Sequence, residues 1–245
     1  MKKLIIALMF ALPAAVMAAG AGPHLEHANI DLSDKASLQR GAKLFVNYCL
    51  SCHSAQYQRY NRMGRDIGLT DDQVKESLML AGDKVGETMT IAMPQADAKR
   101  WFGNPPPDLS VITRARGVDY IYTYLKTFYI DEKRPFGVNN AVFPEVGMPH
   151  VLWEQEGMKK AVYETETDAE GNEKKVIAGY EIVKPGSMSE SEYDQAARDL
   201  TAFLAYTGEP IKLERQRLGI WVLLFLAIFF VFAYALKKEY WKDVH

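Results

Sequence analysis

Residues 49–53 read CLSCH, and Cys49 and Cys52 are the only cysteines in a chain of 245 residues. Two thiols three positions apart, followed at once by an imidazole, admit few chemistries. A disulfide across a two-residue gap closes so small a loop that it stabilises little. A tetrahedral zinc site needs four ligands, and no second Cys/His pair stands at finger-like spacing. A thioredoxin-like redox pair belongs to a βαβ pattern, which this region lacks. What remains is c-type haem attachment, for which C-x-x-C-H is the signature. Thiols at i and i+3 lie on one side of a helical turn, so each can form a thioether with one of the two vinyl groups on the same porphyrin edge. The adjacent histidine then reaches the iron from the proximal side. The reading is one covalently bound haem c, attached through Cys49 and Cys52, with His53 as an axial ligand.

Upstream, DKASLQRGAKLFVNYC (34–49) places Leu38, Ala42, Phe45 and Val46 close to one face of a helix. Phe45 and Tyr48 read equally as porphyrin neighbours or as ordinary core. Downstream, the second axial ligand has many candidates: Met63, Met79, Met89, Met93, Met148, Met158, Met188, His24, His27 and His150. Met93 and Met148 each precede a proline, which stiffens the residue before it into an extended conformation and steadies a loop ligand. Met148 also follows Gly147, which allows close approach of the backbone. Met148 therefore ranks above Met93, with His150 as the main histidine competitor.

The termini set the compartment. MKKLIIALMFALPAAVMAAGAGP (1–23) has two lysines, an apolar run and small residues, with Val16 and Ala18 at the −3 and −1 positions of a cleavage site. It reads as a signal peptide over residues 1–18. LGIWVLLFLAIFFVFAYAL (218–236) carries no charge over 19 residues, about 28 Å of helix, close to the hydrocarbon thickness of a bilayer. Trp221, Tyr234, Tyr240 and Trp241 lie near its ends as interfacial anchors would. Lys212, Arg215 and Arg217 on one side balance Lys237, Lys238 and Lys242 on the other, so the signal peptide fixes the orientation. Residues 19–217 form the periplasmic haem domain, 218–236 the transmembrane helix and 237–245 the cytoplasmic tail, a single-pass protein of the inner membrane.

The whole chain carries a formal charge of −2; without the two N-terminal lysines and the +1 of the tail, −5 remains outside. An acidic face of this kind argues against nucleic acid and suits a basic protein partner. Residues 160–184 alternate in polarity on either side of the turn-forming DAEGN and read as a charged β-hairpin, more an exposed flap than a partner contact. The fold class is mainly α: a cytochrome c type haem domain with loop and β-hairpin insertions, plus one C-terminal transmembrane helix.

Four segments, CLSCHSAQYQRYNR (49–62), PPPDLSVITRARGVDYIYTYL (105–125), VFPEVGMPHVLW (142–153) and SMSESEYDQAARDLTAFLAYTGEP (187–210), followed by the single tail anchor, resemble in order the segments of the cytochrome c1 family. The resemblance runs from about Leu38 to Leu236 and is weak between about Asn61 and Arg100. It implies that Met148 is the distal ligand and that Arg116 and Tyr120 contact haem propionates, roles suited to a guanidinium and a phenol. It also implies that Asn104 and the Pro105–Pro107 run lie against the haem crevice. The implied role is one-electron transfer in a ubiquinol:cytochrome c oxidoreductase, from a Rieske iron–sulfur protein to a c-type cytochrome, beside cytochrome b. Quinol oxidation would then belong to the assembly and not to this chain. A free-standing membrane-tethered carrier and a c-type subunit of a terminal oxidase are the alternatives, although such oxidase subunits are commonly anchored at the N-terminus.

Overall fold

The computed structural model describes residues 23–243 apart from 81, 92, 168–170 and 172. The signal peptide read at 1–18 and most of the DAEGN turn lie outside the described residues.

Helix α1 (Lys35–Leu44) starts where the Asp34 carboxylate accepts the Ala36 and Ser37 amides, satisfying donors that the first helical turn leaves free. Its last turn widens into a single π turn, Phe45–Cys49, and the chain then closes on itself: the amides of Cys52 and His53 both donate to the Cys49 carbonyl, at 3.0 and 2.8 Å. The apolar face read from the sequence is the buried one, since Leu38, Ala42, Phe45 and Val46 are at most 4% exposed. Phe45 packs on Phe203 at 5.4 Å between ring centroids, which makes it core.

That partner belongs to α8 (Glu190–Gly208), which is capped by reciprocal hydrogen bonds between Ser189 and Glu192. The two helices cross closely at Gly41, where an added Cβ would lie 2.0 Å from the Asp199 carbonyl oxygen. The Asp199 carboxylate is buried beside this crossing and accepts from Ser37 Oγ at 2.6 Å, Arg40 Nε at 2.6 Å and Gln195 Nε2 at 2.9 Å.

Between these helices in sequence come β1 (Ala55–Arg59), α2 (Tyr60–Ile67), α3 (Asp71–Ser77), β2 (Thr88–Met89), α4 (Gln95–Phe102), α5 (Ile112–Arg116) and α6 (Val118–Lys126). Next are β3 (Phe128–Ile130), β4 (Val138–Asn140), α7 (Trp153–Glu156), β5 (Gly157–Thr167) and β6 (Glu173–Pro185). The strands pair antiparallel two by two, β1 with β2, β3 with β4 and β5 with β6. The β5–β6 pair is the hairpin read from the alternation at 160–184, begun three residues earlier and offset by irregularities after Met158 and Val162. The main core gathers α1, α2, α6 and α8; a smaller cluster of Phe128, Val138 and Val146 takes in Tyr124, Met148 and Met158.

Only Glu209, Pro210 and Ile211 separate α8 from α9 (Lys212–Tyr240), and Arg215 of α9 reaches back to Glu209 at 2.5 Å. None of the 29 residues of α9 is buried. Among the described residues it is the one helix long and apolar enough to cross a membrane. It contains the whole 218–236 run and extends it at both ends through Lys, Glu and Arg, residues that favour helix.

Candidate haem site

The π turn ends on Cys49, which is buried, and the turn that follows it carries the half-buried Cys52, both as free thiols. Burial, and then the neighbouring Cys52, push the Cys49 thiol up to about 12, so it is a neutral thiol and unlike the low-pKa thiolate of a redox pair. His53 is 9% exposed, and its Nδ1 lies 2.7 Å from the Pro107 carbonyl oxygen. That carbonyl can only accept, so Nδ1 carries the proton and Nε2 keeps its lone pair. Burial lowers the pKa of His53, outweighing the opposing effects of Pro107 and Asp108. The imidazole is thus held neutral, the form that ligates metal.

Pro107 is itself placed by the residues that follow it. Asp108 Oδ2 accepts the Gln56 amide at 2.9 Å, Ser110 Oγ accepts the Tyr57 amide at 3.1 Å, and the Leu109 amide donates to the Ser54 carbonyl at 2.8 Å. The PPPDLS segment is therefore laced alongside residues 54–57. Asn104 is exposed, and no hydrogen bond among the described residues ties it to this lacing.

Arg116 is exposed at the end of α5, with its guanidinium 5.7 Å from the Tyr120 ring centroid. Tyr120 stacks on Tyr124 at 6.3 Å, and Tyr124 meets Phe128 edge-on at 5.1 Å. This row of rings joins the main core to the smaller cluster that holds Met148. Burial raises the pKa of the Tyr124 phenol far enough to keep it protonated, and it donates to Met148 Sδ at 3.3 Å.

The other ligand candidates have other partners. Met63 and Met89 are fully buried in the core. His27 pairs with Asp119 at 2.8 Å. His150 stacks on Phe128 at 4.9 Å, with Nε2 2.8 Å from Glu156 Oε2 but off the line of a hydrogen bond. Met93 is half-buried immediately before α4. Sequence reasoning passed over Tyr124, Asn139 and Asn140; the last two form an Asn-Asn pair just upstream of the Met148 loop.

Among the described residues no group of three or more His, Cys, Asp or Glu could hold a bare metal ion. One neutral imidazole beside two unbridged thiols instead fits a metal that arrives with its own equatorial ligands, and the donor set suits haem.

The chain matches the Cytochrome C1 family over residues 26–244. It is 53% identical over 246 residues to cytochrome c1 of Allochromatium vinosum, covering 100% of both chains. It is 46% identical to a protein of Nitrosomonas europaea named ammonia monooxygenase gamma subunit, covering 100% of this chain and 98% of that one. With the mitochondrial cytochrome c1 haem protein of Saccharomyces cerevisiae the identity is 27%, over 86% of this chain and 68% of the relative. The C-x-x-C-H turn, the laced proline segment and the apolar C-terminal helix thus stand in a chain that belongs to the cytochrome c1 family, whose members carry one covalently bound haem c.

Proposed function

We propose that this haem c electron carrier of the bc1 complex takes one electron at a time from a Rieske iron–sulfur protein and passes it to a c-type cytochrome. Its haem domain (19–217) stands on the periplasmic side, its span at 218–236 lies beside cytochrome b, and its tail (237–245) is cytoplasmic. Quinol oxidation occurs elsewhere in the assembly.

The observation that carries the reading is the neutral, buried His53, whose Nδ1 is committed to Pro107 beside two free thiols. Haem supplies a single reversible one-electron couple at iron. Cys49 and Cys52 would hold its edge, His53 and Met148 would bind its iron, and Arg116 and Tyr120 would meet its propionates. Pro107 sets the tautomer of His53. The Tyr124 hydroxyl would steady the thioether sulfur through its hydrogen bond.

Met148→His tests the axial assignment. A thioether favours ferrous iron more than imidazole does, so the variant should keep its covalent haem, lose the weak near-infrared band of Met-ligated ferric haem and show a lower potential in redox titration. Each 59 mV lost shifts a one-electron equilibrium about tenfold. Met93→Leu should change neither property. An intact band and an unaltered potential in Met148→His would refute the assignment.

A further inference from the structure

Residues 141–147, which lead into Met148, contain neither helix nor strand, yet side chains from outside the segment hold its backbone at both ends. Asn140 is completely buried. Its Oδ1 accepts the amides of Val142 at 3.0 Å and Phe143 at 3.2 Å together with the Thr127 hydroxyl at 3.2 Å, and its Nδ2 donates to the Tyr124 carbonyl at 2.8 Å. One amide therefore joins the start of the loop to the end of α6, the helix whose Tyr124 hydroxyl meets the Met148 sulfur.

Asn139 grips the far end. Its Oδ1 accepts the Glu145 amide at 2.8 Å and its Nδ2 donates to Asp131 at 3.0 Å, while Arg134 Nη2 donates to the Glu145 carbonyl at 2.7 Å. Glu145 has φ 62°, a left-handed conformation that residues with a Cβ rarely adopt. Both polar groups of its backbone are captured there, two residues before Gly147 and three before Met148.

We propose that Asn139 and Asn140 are positioning residues for the axial sulfur: with Arg134 they lock the 141–147 loop so that Met148 is presented to the iron, an inference that rests on the reading of Met148 as ligand. A carboxamide suits the task because it accepts and donates at once without charge. An apolar residue at 140 would take the acceptor from the Val142 and Phe143 amides and the side-chain donor from the Tyr124 carbonyl, while the Thr127 hydroxyl would keep the Thr123 carbonyl at 2.8 Å. A neutral thioether holds its place against stronger ligands only while the loop keeps it there.

The test uses the full-length, haem-loaded protein in detergent and reads the near-infrared band and the equilibrium binding of imidazole to the ferric form. Imidazole binds the molecules whose loop is unseated, so if unlocking raises that fraction tenfold, from about 1% to about 10%, imidazole competes about tenfold better. Asn140→Ala should show that gain and a weakened band with its covalent haem intact. Asn139→Ala should show a smaller change in the same direction. Asn140→Asp keeps the oxygens that accept Val142 and Phe143, so it should fall between wild type and Asn140→Ala; with Asn139→Ala it carries the test if Asn140→Ala does not assemble. Ser37→Ala, which removes a buried hydrogen bond at the α1–α8 crossing, should lower stability without changing imidazole affinity. Wild-type affinity and an intact band in the asparagine variants, with the band lost in Met148→His, would overturn the positioning role alone. A band that survives Met148→His would overturn the ligand reading and this inference together.

Discussion

His53 and Met148 are each governed by an atom far along the chain, the Pro107 carbonyl for one and the Tyr124 hydroxyl for the other. This sets what single residues reveal from sequence. C-x-x-C-H is legible because its chemistry is local, and Gly147-Met148-Pro149 is partly legible because its stiffness is local. Tyr124 and Asn140 act on partners 24 and 16 positions away, and neither residue type is rare enough to attract notice alone. Asp108 was visible within the PPPDLS block, but its two amide contacts, Gln56 and Ser110, were not. Asp108→Ala should cost about 1–2 kcal/mol, since both bonds involve a charged acceptor near the surface; urea unfolding measures it, and an unchanged midpoint would show the lacing to be idle. Asp194 carries a pH prediction. Burial alone would raise it, but hydrogen bonds from Lys126, Tyr122 and Arg198 outweigh burial and bring its pKa down to about 2. A carboxylate lowered on folding stabilises above its unfolded pKa, and that contribution is lost as pH falls through the folded value. Stability should therefore drop between about pH 4 and pH 2, and Asp194→Asn should flatten that limb. An acid limb of equal slope in both proteins would rule out Asp194 as its source.

At the scale of elements, the crossing of α1 and α8 depends on a residue that reads from sequence as a weakness. A glycine inside a helix costs stability relative to alanine, and nothing local to Gly41 explains it. The reason is the Asp199 carbonyl, 2.0 Å from where a Cβ would sit, with Phe203 Cβ at 2.8 Å. Gly41→Ala should force the helices apart at a cost of about 1–3 kcal/mol. At about 2–4 °C per kcal/mol for a domain of this size, the fall in Tm is several degrees; an unchanged Tm would mean the crossing yields without cost. The apolar face of α1 was legible because its period is regular, and the β5–β6 hairpin because AVYETET (161–167) and KKVIAGYEIV (174–183) alternate on either side of a turn-forming DAEGN. β2 has two residues and β3 and β4 three each, too few to display a period, so the scaffold behind the Met148 loop stayed hidden. The π turn was equally unreadable: Phe45–Cys49 continues the helical pattern of α1, and the wider turn appears only in the hydrogen bonding, where the Leu50 amide reaches back to Phe45.

For the molecule as a whole, an uncharged run of 19 residues announced the anchor, and α9 carries it with no side chain buried. Truncation after Glu214 should leave a soluble haem domain, checked by fractionating cells and following haem after high-salt washing. Retention on the membrane in cells lacking the rest of the complex would contradict a single anchor. The sequence could not say how the two parts are joined, because Glu209-Pro210-Ile211 reads as any turn. Three residues span at most about 11 Å, and the Arg215–Glu209 pair shortens even that reach. A redox group on so short a leash cannot swing away from its own anchor to search for distant collaborators. Under the proposed function it is a fixed exchange post, and the swinging in the circuit falls to the proteins that would meet it on either side.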